Sequence, residues 1–216
     1  MAGLVSKYSH IIWDWNGTII NDTPLSVRIV NEHTRQHLGK ELSFEEYRDT
    51  FRMPVKYFYE SLGYDFNKHS WDDLYKYYHK EYSSKEHLCE LHDGAREILK
   101  LLNLQGKTQS ILSAYPDSLL QNVLTKFNLH DLFKWKIGTP DNQESGISKI
   151  FTGKALIKES GIDPNKAVLI GDTAHDAEVA EELGIDVIIV PNGHQSHKAL
   201  RKSITKFAAT LHSLVK

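Results

Sequence analysis

The hydrophobic pattern contains two similar stretches, each a short apolar run that ends in an aspartate. The first runs from His10 to Trp13 and is followed by Asp14-Trp15-Asn16-Gly17-Thr18. The second runs from Ala167 to Ile170 and is followed by Gly171-Asp172. Apolar runs of this length, closed by turn-forming residues, are typical of buried β-strands. We therefore predict two buried strands, each followed by a loop that carries a carboxylate.

From residue 92 onward, apolar runs alternate with segments whose apolar residues recur at helical spacing. Strands that alternate with helices of this length indicate a parallel sheet with helices on both faces. The predicted fold class is therefore α/β, a Rossmann-like doubly wound parallel sheet. Besides the two runs above, the predicted strands are Thr108–Leu112, Trp135–Gly138 and Asp186–Val190, and the predicted helices are Ala95–Leu104, Asp117–Phe127, Lys154–Ser160 and Thr173–Leu183.

Residues 22–91 show helical patterns and no convincing strand, which predicts a helical cap inserted after the first strand. The core would then comprise residues 1–21 and 92–216. The segment Asn21-Asp22-Thr23 suits a helix cap ahead of Pro24. The aromatic residues along the fourth cap helix indicate packing inside the cap rather than a ligand pocket, although tyrosines also suit a surface that closes over a site. The predicted cap helices are Leu25–Leu38, a segment from the capping box at Ser43 to Phe51, Val55–Leu62 and Trp71–Tyr82.

The two aspartates that end apolar runs, Asp14 and Asp172, are expected to meet. In open α/β sheets, the carboxyl ends of the strands form the edge where ligands bind. Two carboxylates brought together repel each other unless a cation lies between them, and oxygen ligands suit Mg²⁺. The alternative is that both residues are simple turn formers. Taken together, the two stretches favour a Mg²⁺ site.

Composition limits the class of protein but does not identify a reaction. The chain has 216 residues and a formal net charge of -2, so it has no electrostatic footprint for nucleic acid or an anionic membrane. Its single cysteine, Cys89, can form no internal disulfide, which fits a reducing compartment. The first residues lack a signal-peptide pattern and no apolar run approaches the length of a membrane span. We therefore expect a cytoplasmic protein with neither membrane nor nucleic-acid partners.

The loop Asp14-Trp15-Asn16-Gly17-Thr18 and the later segment Gly171-Asp172-Thr173-Ala174-His175-Asp176 resemble two motifs of the haloacid dehalogenase superfamily of phosphohydrolases. These motifs are Asp-x-Asp-Gly-Thr and Gly-Asp-x-x-x-Asp. The resemblance implies a phosphatase with a cap domain, similar to phosphoglycolate phosphatases. It further implies that the substrate is a small phosphorylated metabolite.

The resemblance also implies catalytic roles for residues in the superfamily's motif order. Asp14 would be the nucleophile that forms an aspartyl-phosphate. Ser113 and the adjacent Ala114 would hold a phosphoryl oxygen. Lys149 would balance the charge that Asp14 and the phosphate share. Lys154 is the alternative, and we prefer Lys149 because it precedes the predicted helix whereas Lys154 fits within it.

For the metal, the resemblance implies that Asp14, Asp172 and the main-chain carbonyl of Asn16 bind Mg²⁺. Asp176 would support this site from outside the set of ligands. The pair Thr173 and Asp176 also has the pattern of a capping box, so Asp176 is expected to cap a helix as well.

Asn16 departs from the superfamily's pattern. The resemblance implies an aspartate at this position that acts as general acid/base. An amide cannot titrate, so a proton-transfer contribution of about 10²–10⁴-fold is expected to be lost or supplied by another group. Three consequences stay open: a leaving group that needs little help, as in acyl phosphates, phosphoanhydrides or aryl phosphates; slow turnover with accumulated aspartyl-phosphate; or a phosphate-binding regulator with little turnover. A phosphomutase, a dehalogenase and a phosphonate-cleaving enzyme fit the sequence less well.

Three further features carry weaker expectations. Arg52 lies at a break between cap helices and is a candidate for substrate contact when the cap closes, with a surface arginine as the favoured alternative. His33 and His37 lie four residues apart, but without a third ligand nearby a solvated helix face is favoured over a metal site. The segment Gly193–His197 is interpreted as a polar loop, with a role at the site rim as the alternative. Neither the substrate nor the oligomeric state follows from the sequence.

Overall fold

A five-stranded sheet, a two-stranded sheet and nine α-helices are formed by residues 3–140, 145–201 and 206–216, which are the residues that the computed structural model describes. The strands are β1 (His10–Trp13), β2 (Ile20–Asn21), β3 (Glu90–Leu91), β4 (Thr108–Pro116), β5 (Trp135–Thr139), β6 (Ala167–Gly171) and β7 (Asp186–Ile189). The helices are α1 (Thr23–Leu38), α2 (Phe44–Thr50), α3 (Val55–Ser61), α4 (Trp71–Lys85), α5 (Ala95–Leu104), α6 (Asp117–Lys126), α7 (Ser145–Ser160), α8 (Ala174–Leu183) and α9 (His197–Leu200).

The larger sheet is parallel throughout, with strand order β5-β4-β1-β6-β7. Trp13 at the end of β1 is level with Ile111 of β4 and Ile170 of β6. The strand order reverses between β1 and β6, and such a reversal creates the crevice where ligands bind in α/β folds. The predicted α/β fold with a doubly wound parallel sheet is confirmed.

Alternate residues of the central strand belong to two different core layers. Ile11 and Trp13 pack in the cluster that includes the apolar faces of α5 and α6, whereas Ile12 packs with residues of α7 and α8. Successive side chains of a strand point to opposite faces of the sheet, and a strand buried on both faces is therefore apolar throughout. This explains why the apolar run in β1 is continuous.

Helices α1–α4 form a third apolar cluster of their own. Helix α1 belongs to two clusters, because Leu25 and Ile29 pack in the core whereas Val27 and Val30 pack in the cap. The short strands β2 and β3 pair antiparallel where the chain leaves the core and where it returns. The prediction that residues 22–91 lack a strand is wrong for β3, since two residues are too few for a pattern. The domain boundaries themselves stay a prediction, and residues 1–2, 141–144 and 202–205 of the predicted core lie outside the described residues.

Helix α7 and strand β4 exceed their predicted lengths by four residues or more. Helix α7 begins at Ser145 rather than Lys154, so Lys149 lies inside the helix and the predicted irregular segment is wrong. Polar Ser148 and Lys149 are buried in its early turns, which hides the apolar periodicity. Strand β4 continues four residues beyond Leu112 through a shift of register against β5. Within the described part of the chain, the search for a helix both long and apolar enough to cross a bilayer found none.

Candidate active site

Three buried carboxylates converge at the carboxyl edge of the sheet. One oxygen from each of Asp14, Asp172 and Asp176 lies within 4.8 Å of the others. The backbone N–H of Asp14 donates to the carbonyl of Ile170 at 2.8 Å, which ties the end of β1 to β6. The predicted meeting of Asp14 and Asp172 is therefore present in the structure.

Lys149 joins two of these carboxylates. Its Nζ donates to Asp14 Oδ1 at 2.6 Å and to Asp176 Oδ1 at 2.7 Å, and the residue is 2% exposed. Lys154 instead forms an exposed ion pair with Glu182. The structure thus brings Lys149 into the cluster and leaves Lys154 outside it, although the reason given for preferring Lys149 was wrong.

Asp176 has two functions in the local structure. Its Oδ2 accepts hydrogen bonds from the backbone N–H and the hydroxyl of Thr173, at 3.0 Å and 2.7 Å, and completes the predicted capping box of α8. Its Oδ1 accepts from Lys149. Burial acts to raise the pKa of Asp176, but the Lys149 charge and these hydrogen bonds hold it below its usual value.

Glycines allow the chain to approach Asp172 closely. Gly17 has a φ of 70°, and a Cβ at Gly17 or at Gly193 would clash with the Asp172 carboxylate. The same carboxylate accepts from the backbone N–H of His194 at 2.5 Å and lies 3.2 Å from the hydroxyl of Thr18. A side chain at either glycine is thus excluded by the site itself.

The amide of Asn16 is held by a second buried carboxylate group. Its Nδ2 donates to Asp22 Oδ2 at 2.9 Å and to the hydroxyl of Tyr82 at 2.8 Å. Asp22 Oδ1 accepts the backbone N–H of Gly17 at 2.7 Å. The helix cap predicted in Asn21-Asp22-Thr23 falls on Asp22, which occupies the N-cap position of α1 but makes no side-chain cap bond. Its carboxylate orients the Asn16 loop instead.

His194 is buried beside these groups at 6% exposure. Its Nε2 lies 3.5 Å from Asp22 Oδ1, and its Nδ1 is 3.0 Å from the Tyr47 hydroxyl. Burial alone would lower the pKa of His194, but the carboxylates of Asp22, Asp172 and Asp14 raise it to about 9. The interpretation of this segment as a simple polar loop is wrong, because His194 lines the cavity described below.

The cluster carries more negative than positive charge. Burial raises the pKa of Asp14 to about 6 and that of Asp172 to about 8, with Lys149 opposing the first shift and His194 the second. The carboxylates of Asp14, Asp22, Asp172 and Asp176 face two cations, Lys149 and protonated His194. When all four carboxylates are ionised, two negative charges remain unbalanced. Converging carboxylate oxygens with this excess charge fit a divalent cation such as Mg²⁺.

The other predicted phosphate-site residues also border the cavity. Ser113 is 1% exposed, and its hydroxyl accepts the backbone N–H of Tyr115 at 3.1 Å. The carbonyl of Ala114 accepts from the hydroxyl of Thr139 at 3.1 Å. Both Ser113 and Ala114 line the cavity beside the carboxylates.

Arg52 and His33 lie elsewhere. The exposed guanidinium of Arg52 donates to the carbonyl of Tyr57 within the cap, and Arg52 is outside the set of residues that line the cavity. His33 is 7% exposed and bonded to the Tyr64 hydroxyl at 2.8 Å, so the expected solvated face is wrong for this residue. Among the described residues, the search for metal-ligand clusters found the aspartate cluster and not these histidines.

The cavity has a volume of about 150 Å³ and lies between the carboxylates and the cap. The residues at helical spacing along α4, which predicted packing inside the cap, all border it: Trp71, Leu74, Tyr75, Tyr78 and Tyr82. Leu74, Trp71 and Tyr78 also pack in the cap cluster. The interpretation of this stripe as cap packing rather than a pocket is therefore corrected, because the same residues do both.

Helix α2 holds the cap onto the loop that follows β7. The guanidinium of Arg48 donates to the carbonyls of Pro191 and Gly193, each at 2.8 Å. The Gln195 amide donates to the carbonyl of Phe51 at 2.7 Å. These contacts tie α2 to the loop that carries His194.

The sequence interpretation missed Asp22 and His194 as members of the site. Asp22 lies six residues after Asn16, so a role for its carboxylate in the site could have been predicted. Its position ahead of a predicted helix favoured a helix cap instead. His194 had one signal, its position just after the last strand of the sheet. The contact between Asp22 and His194 links residues far apart in the chain, and no local pattern encodes it.

Comparison with known proteins gives concordant results. Residues 11–190 match the family described as haloacid dehalogenase-like hydrolases. A protein of Caldanaerobacter subterraneus subsp. tengcongensis, provisionally named pyrophosphatase PpaX, is 24% identical over 187 residues, covering 85% of this chain and 82% of that protein. The phosphoglycolate phosphatase of Pseudomonas savastanoi pv. phaseolicola is 23% identical over 118 residues, covering 53% of this chain and only 42% of that protein. The crystal structure of a predicted phosphatase from Clostridium acetobutylicum shares the fold, with a TM-score of 0.80, 18% identity and 96% coverage of both chains.

Proposed function

The chain belongs to the haloacid dehalogenase-like hydrolases, and on this premise we propose that it is a Mg²⁺-dependent phosphohydrolase that transfers a phosphoryl group to Asp14. The observation that carries the proposal is the convergence of the Asp14, Asp172 and Asp176 carboxylates with Lys149. The substrate would be a small phosphorylated molecule, because the space between the carboxylates and the cap is about 150 Å³.

In this proposal, Asp14 and Asp172 hold the metal together with the main-chain carbonyl of Asn16. When bound, Mg²⁺ supplies positive charge that offsets the repulsion between the Asp14 carboxylate and the phosphate. The unbalanced negative charge of the carboxylate cluster supports the proposal that these residues bind Mg²⁺. Asp176 supports the site by holding Lys149 in place.

The chain's own residues then carry the chemistry. An oxygen of Asp14 attacks phosphorus and the leaving group departs with its electron pair. Lys149 is already bonded to Asp14 Oδ1 and compensates the charge that develops there. Ser113 and Ala114 hold a phosphoryl oxygen. Water then hydrolyses the aspartyl-phosphate and regenerates the Asp14 carboxylate.

The names of the relatives suggest two substrates to include in a test, pyrophosphate and phosphoglycolate. We would screen phosphate release from these compounds, acetyl phosphate and a panel of phosphate esters, with Mg²⁺ and with a chelator. Activity should require Mg²⁺ and should be lost in Asp14→Asn and Asp172→Asn. Asp131→Asn is the matched control, since its carboxylate is fully exposed and remote from the cluster.

The screen also decides against a regulator that binds phosphate without turnover. Wild-type protein that binds phosphate and Mg²⁺ but releases no phosphate from any compound would contradict the proposal. So would activity that survives in Asp14→Asn.

A further inference from the structure

Part of the cavity wall is built from aromatic rings. Helix α4 supplies Tyr75, Tyr78 and His79, and strand β4 supplies Tyr115. The ring centroid of His79 lies 4.2 Å from that of Tyr75 and 6.2 Å from that of Tyr115, and the His79 and Tyr115 rings are inclined by only 29°. The wall therefore offers aromatic faces to the group that enters the cavity.

Three tyrosine hydroxyls at or beside this wall are bonded within the protein. A tyrosine whose hydroxyl already has a protein partner presents its ring, rather than a polar handle, to a ligand. The wall is accordingly apolar although it is rich in tyrosine. The pairs are Tyr78 with Ser26 at 2.8 Å, Tyr82 with Asp22 at 2.8 Å, and Tyr115 with Glu86 at 2.6 Å.

The cap side of the cavity offers no cation to an anionic leaving group. Among the described residues that line the cavity, Lys149 is the only lysine or arginine, and it is bonded to Asp14 and Asp176. The protonated His194 also lines the cavity, but it lies on the core loop and is paired with Asp22. A carboxylate or a second phosphate next to the rings would lose its hydration without gaining a charged partner, which is costly. The cavity therefore favours an uncharged organic group.

Size restricts this group further. A cavity of about 150 Å³ corresponds to the space that holds one benzene-sized molecule in an apolar protein interior. The phosphoryl group at the carboxylates needs part of this space, so the organic group is no larger than one ring.

Asn16 independently restricts the leaving group. Its amide donates to Asp22 and Tyr82 and carries no titratable proton. Without an acid at this position, a leaving group that is stable as an anion has the advantage. A phenol ionises with a pKa of about 10, as tyrosine does, whereas alkyl alcohols ionise near the value of water, about 16.

We propose that the substrate is a monoaryl phosphate, a phosphate ester of one phenolic ring that lies against Tyr75, Tyr78 and His79. This inference rests on the proposed phosphohydrolase function and names its substrate class. Aromatic rings gain from offset or edge contacts with other rings beyond the burial of their area.

His79 gives the ring site one polar contact. Its Nδ1 is buried and has no hydrogen-bond partner among the described residues. Burial lowers the pKa of His79 to about 4, so the imidazole is neutral at pH 7 and can serve as one donor or acceptor. A hydroxyl or similar substituent on the substrate ring would satisfy it.

The reaction balances without a further reactant. The Asp14 oxygen forms a bond to phosphorus as the bond from phosphorus to the phenolic oxygen breaks. The electron pair leaves on the phenolate, which takes a proton from water. A second water then cleaves the aspartyl-phosphate, giving inorganic phosphate and free Asp14.

The test separates recognition of the ring from the quality of the leaving group. Methyl phosphate and benzyl phosphate have leaving groups of the same alkyl class, but only benzyl phosphate has a ring. We expect KM for benzyl phosphate to be at least about tenfold lower than for methyl phosphate, because a buried ring adds binding energy. Phenyl phosphate, with a phenolic leaving group, should then exceed benzyl phosphate in kcat.

Variants test the location of the ring. Tyr75→Ala should raise KM for benzyl phosphate by a larger factor than KM for acetyl phosphate, which has no ring. Tyr57→Ala is the matched control, since Tyr57 is an exposed cap tyrosine outside the cavity lining. His79→Ala should remove any preference for a hydroxyl-substituted benzyl phosphate over the unsubstituted compound. Turnover of acetyl phosphate reports that each variant is folded.

The outcomes distinguish the failure of this inference from the failure of the proposed phosphohydrolase function. The proposed ring site would be overturned by equal KM values for methyl and benzyl phosphate. If Asp14-dependent hydrolysis of acetyl phosphate were intact in that case, the proposed phosphohydrolase function would still hold. An equal effect of Tyr75→Ala on acetyl and benzyl phosphate would also overturn the ring site. No Asp14-dependent hydrolysis of any compound would overturn both.

Discussion

The amide of Asn16 donates a hydrogen bond of 2.9 Å to the buried carboxylate of Asp22. An aspartate at position 16 would therefore face Asp22 at hydrogen-bonding distance. Two carboxylates this close cannot both ionise without strong repulsion, so they would share a proton. A carboxylic acid that keeps its proton near neutral pH is what general acid catalysis requires.

The first prediction is that Asn16→Asp raises kcat on alkyl esters such as methyl phosphate by about tenfold or more, because it restores a proton donor. The control is the double variant Asn16→Asp, Asp22→Asn, which keeps one carboxylate and one amide as in the natural protein. It should gain less, since no proton is shared. An unchanged or lower rate in a folded Asn16→Asp protein would refute this account of Asn16.

Lys149→Ala should abolish most activity and reduce stability. It leaves Asp14 and Asp176 buried without their shared partner, and breaking a buried ion pair in this way costs about 3 kcal/mol in the free energy of unfolding. We expect kcat to fall by at least about 100-fold.

The matched control is Lys154→Ala, which removes an exposed ion pair with Glu182. Exposed pairs contribute about 0–1 kcal/mol, so stability and activity should change little. A larger loss of activity in Lys154→Ala than in Lys149→Ala would show that the wrong lysine has been assigned. Urea unfolding and steady-state kinetics give the two measurements.

The stability of the metal-free protein should fall as the pH rises. Burial raises the pKa of Asp172 to about 8, so its contribution to stability is complete below its ordinary pKa and is lost as the pH rises through about 8. The contribution of His194 is complete below its ordinary pKa and is lost as the pH rises through about 9. Both raised pKa values therefore make the folded protein less stable as the pH rises.

Mg²⁺ should reverse this trend, because it binds the ionised carboxylates and favours loss of their protons. We expect the increase in Tm on adding Mg²⁺ to be larger at about pH 9 than at about pH 6, and to disappear in Asp172→Asn. Thermal unfolding with chelator and with Mg²⁺ at each pH measures this increase in Tm. An equal increase at both pH values would argue against a metal site on these carboxylates.

Arg48→Ala should loosen the closed cap. Arg48 donates to the carbonyls of Pro191 and Gly193 across the boundary between α2 and the core loop, and the loss should raise KM several-fold with a smaller effect on kcat. Arg52→Ala is the matched control, because among the described residues Arg52 donates its hydrogen bonds to the carbonyl of Tyr57 within the cap. A rise in KM in Arg52→Ala alone would instead support the earlier expectation that Arg52 meets the substrate.

The parts of the fold that the sequence predicted well are those with a local signal. β1 and β6 are continuous apolar runs because both of their faces are buried. The capping boxes at Ser43 and Thr173 mark the starts of α2 and α8, and both are present. The strands β2 and β3 were missed because two residues cannot show a period.

The roles that the sequence analysis missed depend on contacts that form only in the folded protein. Asp22 has the position of a helix cap, and only the folded loop turns its carboxylate towards Asn16 and Gly17. Lys149 was predicted as a site residue but not as part of a helix, because the buried polar residues Ser148 and Lys149 interrupt the apolar period in the early turns of α7. Tyr75 and Tyr78 show helical spacing, but spacing alone cannot distinguish a packed core from the wall of a cavity.

The most direct test of the central claim is the mass of the peptide that contains Asp14 after acid quenching. The protein would be mixed with acetyl phosphate and Mg²⁺ and quenched at a series of times within one turnover. The account predicts a transient increase by one phosphoryl group, located on Asp14 and absent in Asp14→Asn. Hydrolysis of acetyl phosphate with no phosphoryl group on Asp14 at any time, or with one on another residue, would contradict it.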